Sequence, residues 1–341
     1  MKQSMILTSL LNITHPIIQA GMAGATTPEL VATISNEGGL GTIGAGYMSL
    51  AQLNDEIDKV TALTKKPFAV NLFIPENTTT NEASISKMHQ HLQGYYNKYK
   101  IDKPYIKHND RDHFNSMIDL IISKHVPIIS FTFGIPDASI IQKLKAHHIK
   151  TIGSASSVHE AVICEKAGMD IIVVQGYEAG GHRANFNTNA HIGLMSLIPQ
   201  VVDEVSIPVI AAGGIMDKRG INAAIALGAA GVQMGTAFLT SYESKAPTVH
   251  KEAITASTET DTTLTKAISG KEARGIKNQL IVNLEQYYED ILPYPYQNDL
   301  TSPFRKLAAQ NNNAEDLHLW CGQTPRLAKI NYAKDIFRSL I

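Results

Sequence analysis

Short apolar runs rich in Ile, Val and Phe recur along the chain, each followed by a segment whose apolar residues fall at helical spacing. The runs predict strands at 16–21, 40–45, 68–73, 128–133, 149–155, 170–176, 209–214 and 232–238. The intervening segments predict helices at 27–36, 50–63, 137–147, 158–167, 194–205 and 218–227. The strands are nearly continuous apolar runs, as required when both faces of a sheet are covered. Strand and helix alternate at roughly 30 residues per unit, which is the signature of parallel βαβ repeats. Eight such units closing on themselves give an α/β fold of the (β/α)8 TIM-barrel type, with an open doubly wound sheet as the alternative.

Two stretches break the rhythm. Residues 75–125 replace a simple connection with a longer polar, helical segment carrying Tyr95, Tyr96, Tyr99 and Tyr105. After the eighth strand, 240–303 is Thr/Ser-rich, then helical, then aromatic, with Tyr287, Tyr288, Tyr294 and Tyr296. Long ordered insertions in barrels sit on the face where strands end and roof the active site. The expected organisation is therefore a barrel over 1–239 with an insertion at 75–125, and a smaller, mainly helical lid or substrate domain over 240–304. The chain then returns to the barrel over 305–341.

Composition narrows the function. The 30 Lys and Arg against 31 Asp and Glu leave no long-range field for nucleic acid or an anionic membrane. Two cysteines cannot build a disulfide framework, which fits a reducing, cytoplasmic setting. The first 11 residues lack the pattern of a secretory signal. No apolar run approaches the ~18 residues of a membrane helix. The expected partners are small molecules, and no metal site is read; oligomeric state stays open.

The seventh strand runs into Gly213-Gly214, and the eighth reads Gly231-Val-Gln-Met-Gly-Thr. Glycine admits positive φ and close approach of a ligand to the backbone. Loops after strands seven and eight are the common phosphate cradle of barrels. Gly213, Gly214, Gln233, Met234, Gly235 and Thr236 are thus the phosphate candidates. The sixth strand ends in Gln175 and leads through Gly180-Gly181 to His182, a residue suited to general-base work at a barrel mouth. The loop is expected to be mobile; Glu178 either tunes His182 or is a solvated rim charge. Ala20, Gly21 and Met22 after strand one, and Asn71 in strand three, belong to the same mouth. A flavin ring needs hydrogen-bond partners at its pyrimidine edge, available from Gln175 and Asn71, and an apolar wall, available from Ala20, Met22 and Ala211.

These motifs resemble those of class I nitronate monooxygenases, FMN-dependent enzymes. The resemblance spans nearly the whole chain, through PIIQAGMAGATTPEL at 16–30, AVNLF at 69–73, VVQGYEAGGHR at 173–183, PVIAAGGIMDKRG at 208–220, GAAGVQMGTAFL at 228–239 and LWCGQ at 319–323. It implies FMN contacts at Asn71, Gln175, Gly180, Gly214 and Gln233 to Thr236, and His182 as base for neutral nitroalkanes. It also implies aerobic oxidation of alkyl nitronates, propionate 3-nitronate especially, to carbonyl products and nitrite. The tyrosines of the 240–307 segment, with Lys306, are expected to form an anion-binding roof. The alternatives are an enoyl-acyl carrier protein reductase or NAD(P)H:quinone reductase of the same superfamily, and a non-catalytic flavin-binding protein. A nicotinamide site would mark the reductase, and the Gln19 to Met22 and 319–323 segments favour the monooxygenase.

Overall fold

The computed structural model describes residues 2–76, 78–106 and 111–341; residues 77 and 107–110 of the expected insertion lie outside the described residues. The chain opens with helix α1 (Lys2–Leu11) and then alternates. The barrel strands are β1 (Ile17–Gln19), β2 (Gly41–Gly44), β3 (Phe68–Phe73), β4 (Ile128–Thr132), β5 (Lys150–Ala155) and β6 (Ile171–Gln175). A short strand, β7 (Gly181–His182), leaves the barrel before β8 (Val209–Ala212) and β9 (Gly231–Met234) complete it. All eight barrel strands are parallel, in the order β1-β9-β8-β6-β5-β4-β3-β2. An isolated parallel bridge from Ile18 to Leu40 closes the ring, with the Leu40 amide donating to Ile17 O at 3.0 Å and the Gln19 amide to Leu40 O at 2.9 Å.

Helices α2 (Pro28–Asn36), α3 (Leu50–Leu63), α4 (Glu82–Tyr99), α5 (Arg111–Ser123), α6 (Ala138–Ala146), α7 (Val158–Ala167), α8 (Leu194–Glu204) and α9 (Lys218–Ala226) follow the strands. Their starts are chemically marked: Thr27 caps α2 ahead of Pro28, and Ser49 with Gln52 forms a reciprocal capping box on α3. The six helices outside the 75–125 insertion, α2, α3 and α6 to α9, agree with the ranges expected from apolar periodicity to within one residue.

Alternation along the strands builds two shells. Ile18, Ile128, Ile152, Ile171, Val173 and Ile210 fill the barrel interior, whereas Ile17, Ile43, Val70, Ile129, Ile172, Val174 and Val232 face the helices. Leu7 and Leu11 of α1 pack with the interior set, so α1 plugs the end where strands begin. That helix was not legible as such, since its apolar residues are few and interrupted.

The eighth predicted strand overran. Gly235 ends β9, and Thr236 opens a one-turn helix, α10 (Thr236–Leu239), because no neighbouring strand is left to pair with the chain beyond Met234. The chain continues through α11 (Thr248–Ala256), the hairpin β10 (Thr262–Thr265) and β11 (Ala273–Ile276), α12 (Gln279–Glu285), α13 (Tyr296–Gln310) and finally α14 (Ala333–Arg338). A second apolar cluster joins Met88, Leu92, Tyr96 and Tyr99 of α4 to Ile254, Leu280, Ile281, Phe304 and Leu317. Phe337 of α14 rejoins the cluster around the barrel. None of the described helices is long and apolar enough to cross a membrane.

Candidate active site

The strands end on one rim, and their last residues surround a cleft of about 490 Å3, partly open to solvent. It is lined by Ala20 from β1, Gln175 from β6, Gly213 and Gly214 after β8, and Gln233 to Thr236 at the end of β9. Gly180 lines it from the loop after β6. Gly213 (φ +122°) and Gly214 (φ +67°) hold backbone conformations that side chains disfavour. A Cβ on Gly180 would lie 2.5 Å from the Gly322 amide nitrogen, so two backbones meet there. Gly235 differs: a Cβ there would meet nothing closer than Ala20 at 3.8 Å and the Met22 sulfur at 3.9 Å. Packing does not demand glycine at 235, and its bare backbone faces the cleft. Among the described residues, the amides of Gly214 and Gly235 donate to no protein acceptor. Free amides beside an open cradle suit an anionic group.

The remaining candidates stand just behind. A Cβ on Gly21 would press on the Asn71 Cβ at 2.7 Å. Asn71 is buried within β3 and donates to the hydroxyls of Ser130 and Thr132, each at 3.0 Å. Gln175 bridges its own loop, its amide donating to His182 O at 3.0 Å and its carbonyl accepting from the Ala184 amide at 2.8 Å. Much of its hydrogen-bonding capacity thus holds the His182 segment.

The Gly-rich loop is not a free loop. Gly181 and His182 form β7, which pairs antiparallel with Arg274 and Ala273 of β11. The Arg183 amide adds a bond to Glu272 O at 2.8 Å. The segment expected as a loop is thus paired into the β10-β11-β7 sheet. Glu178 neither touches His182 nor sits as a solvated rim charge: both its oxygens accept from the Leu194 amide at 2.9 Å, at the start of α8.

His182 sits among aromatic rings, with centroids 5.7 Å from Phe133, 5.9 Å from Tyr294 and 5.5 Å from Trp320. Its Nε2 shares a 2.8 Å hydrogen bond with the buried Ser269 hydroxyl, which also donates to Lys271 O at 3.1 Å. Nδ1 has no protein partner among the described residues. Burial, then the positive charges of Lys271 and Arg305, push the imidazole down to about 3, so it is neutral near pH 7.

Residues missed from sequence complete the site. Gly322 and Thr324 line the cleft: the Gly322 amide donates to Thr236 Oγ1 at 3.0 Å, and the Thr324 hydroxyl to Gly214 O at 2.9 Å. Ser269 carries no sequence signal, whereas Trp320 and Gly322 lay inside a recognised motif. The aromatic roof narrows to Tyr294. Tyr287 stacks on His91 and Tyr296 donates to Thr78 O, while Tyr96 and Tyr99 belong to the second apolar cluster. Lys306 is exposed to solvent, and the neighbouring Arg305 is the buried cation of α13.

Comparison with known proteins places this architecture. A family model described as nitronate monooxygenase matches residues 4–341. A probable nitronate monooxygenase of Staphylococcus aureus (strain Newman) is 54% identical over 339 residues, covering 98% of this chain and 96% of that protein. Among solved structures, nitroalkane oxidase from Streptomyces ansochromogenes has a TM-score of 0.91 at 36% identity, covering 98% of this chain and 96% of its own. FabK from Thermotoga maritima has a TM-score of 0.78 at 31% identity, with 98% and 94% coverage. The chain belongs to the nitronate monooxygenase family, a family of flavin-dependent oxidoreductases acting on small molecules.

Proposed function

We propose that this protein is an FMN-dependent nitronate monooxygenase that oxidises alkyl nitronates, propionate 3-nitronate especially, with oxygen to carbonyl products and nitrite, and so detoxifies them. The observation that carries the reading is the cradle after β8 and β9, where glycine amides without protein acceptors face a cleft that Gly180, from the loop carrying the half-buried, neutral His182, also lines. The residues fit a flavin with a terminal phosphate: Gly213, Gly214, Gly235 and Thr236 would hold the phosphate, and Ala20, Met22 and Met234 would supply apolar contacts to the ring. When bound, FMN supplies an acceptor for electrons from an electron-rich nitronate and a route for them to oxygen.

The chain's own residues do the rest. Phe133, Tyr294 and Trp320 limit water around His182. Ser269 orients the ring through Nε2, and the lone pair at Nδ1 is the site that takes the α-proton of a neutral nitroalkane. Lys271 and Arg305 disfavour the imidazolium, yet the nitronate formed in the same step is an anion that offsets them. A nitronate arrives already deprotonated, so this transfer is needed only for nitroalkanes.

An oxygen electrode decides between the readings. Oxygen uptake with propionate 3-nitronate, matched by nitrite and without rapid oxidation of NADH or NADPH, is the expected result. Rapid pyridine-nucleotide oxidation with an enoyl thioester or quinone would move the protein to the reductases, and no turnover of any of these substrates to a binding protein.

A further inference from the structure

A second cavity, of about 500 Å3, opens where β2 and β3 end, in a different sector of the rim from the cradle. It lies between the loop after β2, the end of β3 and α5, and it shares no lining residue with the cleft after β8 and β9. Its side chains are mainly apolar, among them Ala45, Met48, Leu72, Phe73, Phe114 and Met117. No lysine, arginine, aspartate or glutamate lines it among the described residues. The two lining side chains with polar atoms are engaged. His113, exposed at the surface, shares a 3.2 Å hydrogen bond from Nε2 to Met48 O, and Tyr294 shares one with the Tyr47 side chain.

The inner end of this chamber abuts the candidate site. The Ala45 amide donates to Asn71 O at 3.0 Å, and Leu72 and Phe73 follow Asn71 in β3. Aromatic rings separate the chamber from His182. The Phe73 ring lies 4.6 Å from that of Phe133, and Phe133 and Tyr294 lie 5.7 and 5.9 Å from the imidazole. Tyr294 thus borders both the chamber and His182. His182 does not line the chamber, and Phe133 and Tyr294 are buried, so the partition is closed.

Such a chamber sorts molecules by polarity and size. A nitronate is an anion, and the lining holds no cation to offset its loss of water. Molecular oxygen is uncharged and apolar, so it enters apolar surroundings without that cost. A closed partition of rings stops a nitronate and its tail, whereas side-chain fluctuation lets a diatomic molecule through. We infer that this chamber is the port by which oxygen reaches the substrate beside His182, separate from the cleft after β8 and β9. The inference rests on the nitronate reading, which makes oxygen a substrate.

The test uses the full-length flavoprotein and M48W, a substitution that fills the chamber from a half-buried position. With propionate 3-nitronate saturating and oxygen varied, M48W should lower kcat/KM for oxygen by about 10-fold. The kcat/KM for the nitronate should stay within about 2-fold of wild type. Wild-type crystals under xenon pressure supply a readout independent of turnover: xenon, which settles in apolar cavities, should occupy the chamber. An unchanged kcat/KM for oxygen, equal losses for oxygen and nitronate, or no xenon in the chamber would overturn the inference. A loss confined to nitronates with long alkyl tails would overturn it too, by making the chamber a seat for the tail. If M48W does not fold, the xenon site decides alone. Nitronate oxidation with the oxygen parameter unmoved sinks the port and spares the proposed function; no oxidation of any nitronate sinks both.

Discussion

At the scale of single residues, the account assigns different work to neighbours one position apart. On α13, Arg305 turns inward and Lys306 outward, a rotation of about 100° along a helix. Sequence shows two cations there and no reason to prefer one; only the register of the helix against its neighbours decides. The same limit applied to Gln175 and Glu178, whose partners are backbone groups of their own loop and of α8. His182 and the glycines of the cradle were legible because their chemistry is position-specific: positive φ or bare backbone at a strand end has few explanations. Two outcomes follow. His182→Asn removes the proton acceptor, so kcat/KM for a neutral nitroalkane should fall by ~10²-fold or more, at least about 30-fold further than for its nitronate. Steady-state kinetics on both substrates measure this, and equal losses would show that His182 does not act as the base. Gly235→Val places two methyl groups where a Cβ meets no protein atom within 3.8 Å. The variant should therefore fold with a melting temperature like that of the flavin-free wild type, yet purify without visible flavin absorbance. Retained absorbance would place the phosphate elsewhere.

At the scale of elements, apolar periodicity located the helices well, and the structure adds the reason for where they start: Thr27, Ser49, Ser157 and Asp217 each accept a first-turn amide. The elements that escaped were short or sparsely apolar. The two-residue strand β7 exists only because β11, some 90 residues later in the chain, supplies its partner, and α1 only because the barrel interior accepts Leu7 and Leu11. The plug can be tested directly. Leu7 is fully buried and touches the β9 region, where a Cβ on Gly231 would lie 2.5 Å from it. Leu7→Ala should cost about 2–4 kcal/mol through lost burial and a residual cavity. Urea denaturation of wild type and variant measures the difference; a cost below about 0.5 kcal/mol would mean that α1 is an appendage rather than part of the core.

At the scale of the whole molecule, the alternation of strand and helix announced the barrel, and the breaks in rhythm announced where chain would accumulate. What sequence could not show is that α4, from the insertion after β3, shares its apolar cluster with the segment after β9. The burial of several histidines gives the fold a pH dependence. His182 is pushed down to about 3, and His89 and His250 to about 4, chiefly by burial, against an ordinary value of 6.5. Between those values the unfolded chain binds protons that the folded chain refuses, so stability is fully present above pH 6.5 and declines as pH falls through this window. Each histidine should withdraw about 1–2 kcal/mol by pH 5, lowering the melting temperature by roughly 5 °C or more relative to pH 7.5. Calorimetry at the two values reads the shift, and a flat profile would show that these imidazoles are solvated.

The central claim is that the rim after β8 and β9 holds a flavin by its terminal phosphate. Its most direct test is to denature the purified protein and identify the released flavin by chromatography. The account predicts FMN, close to one per chain. Stoichiometric FAD, riboflavin, or a colourless protein that takes up no FMN would contradict it.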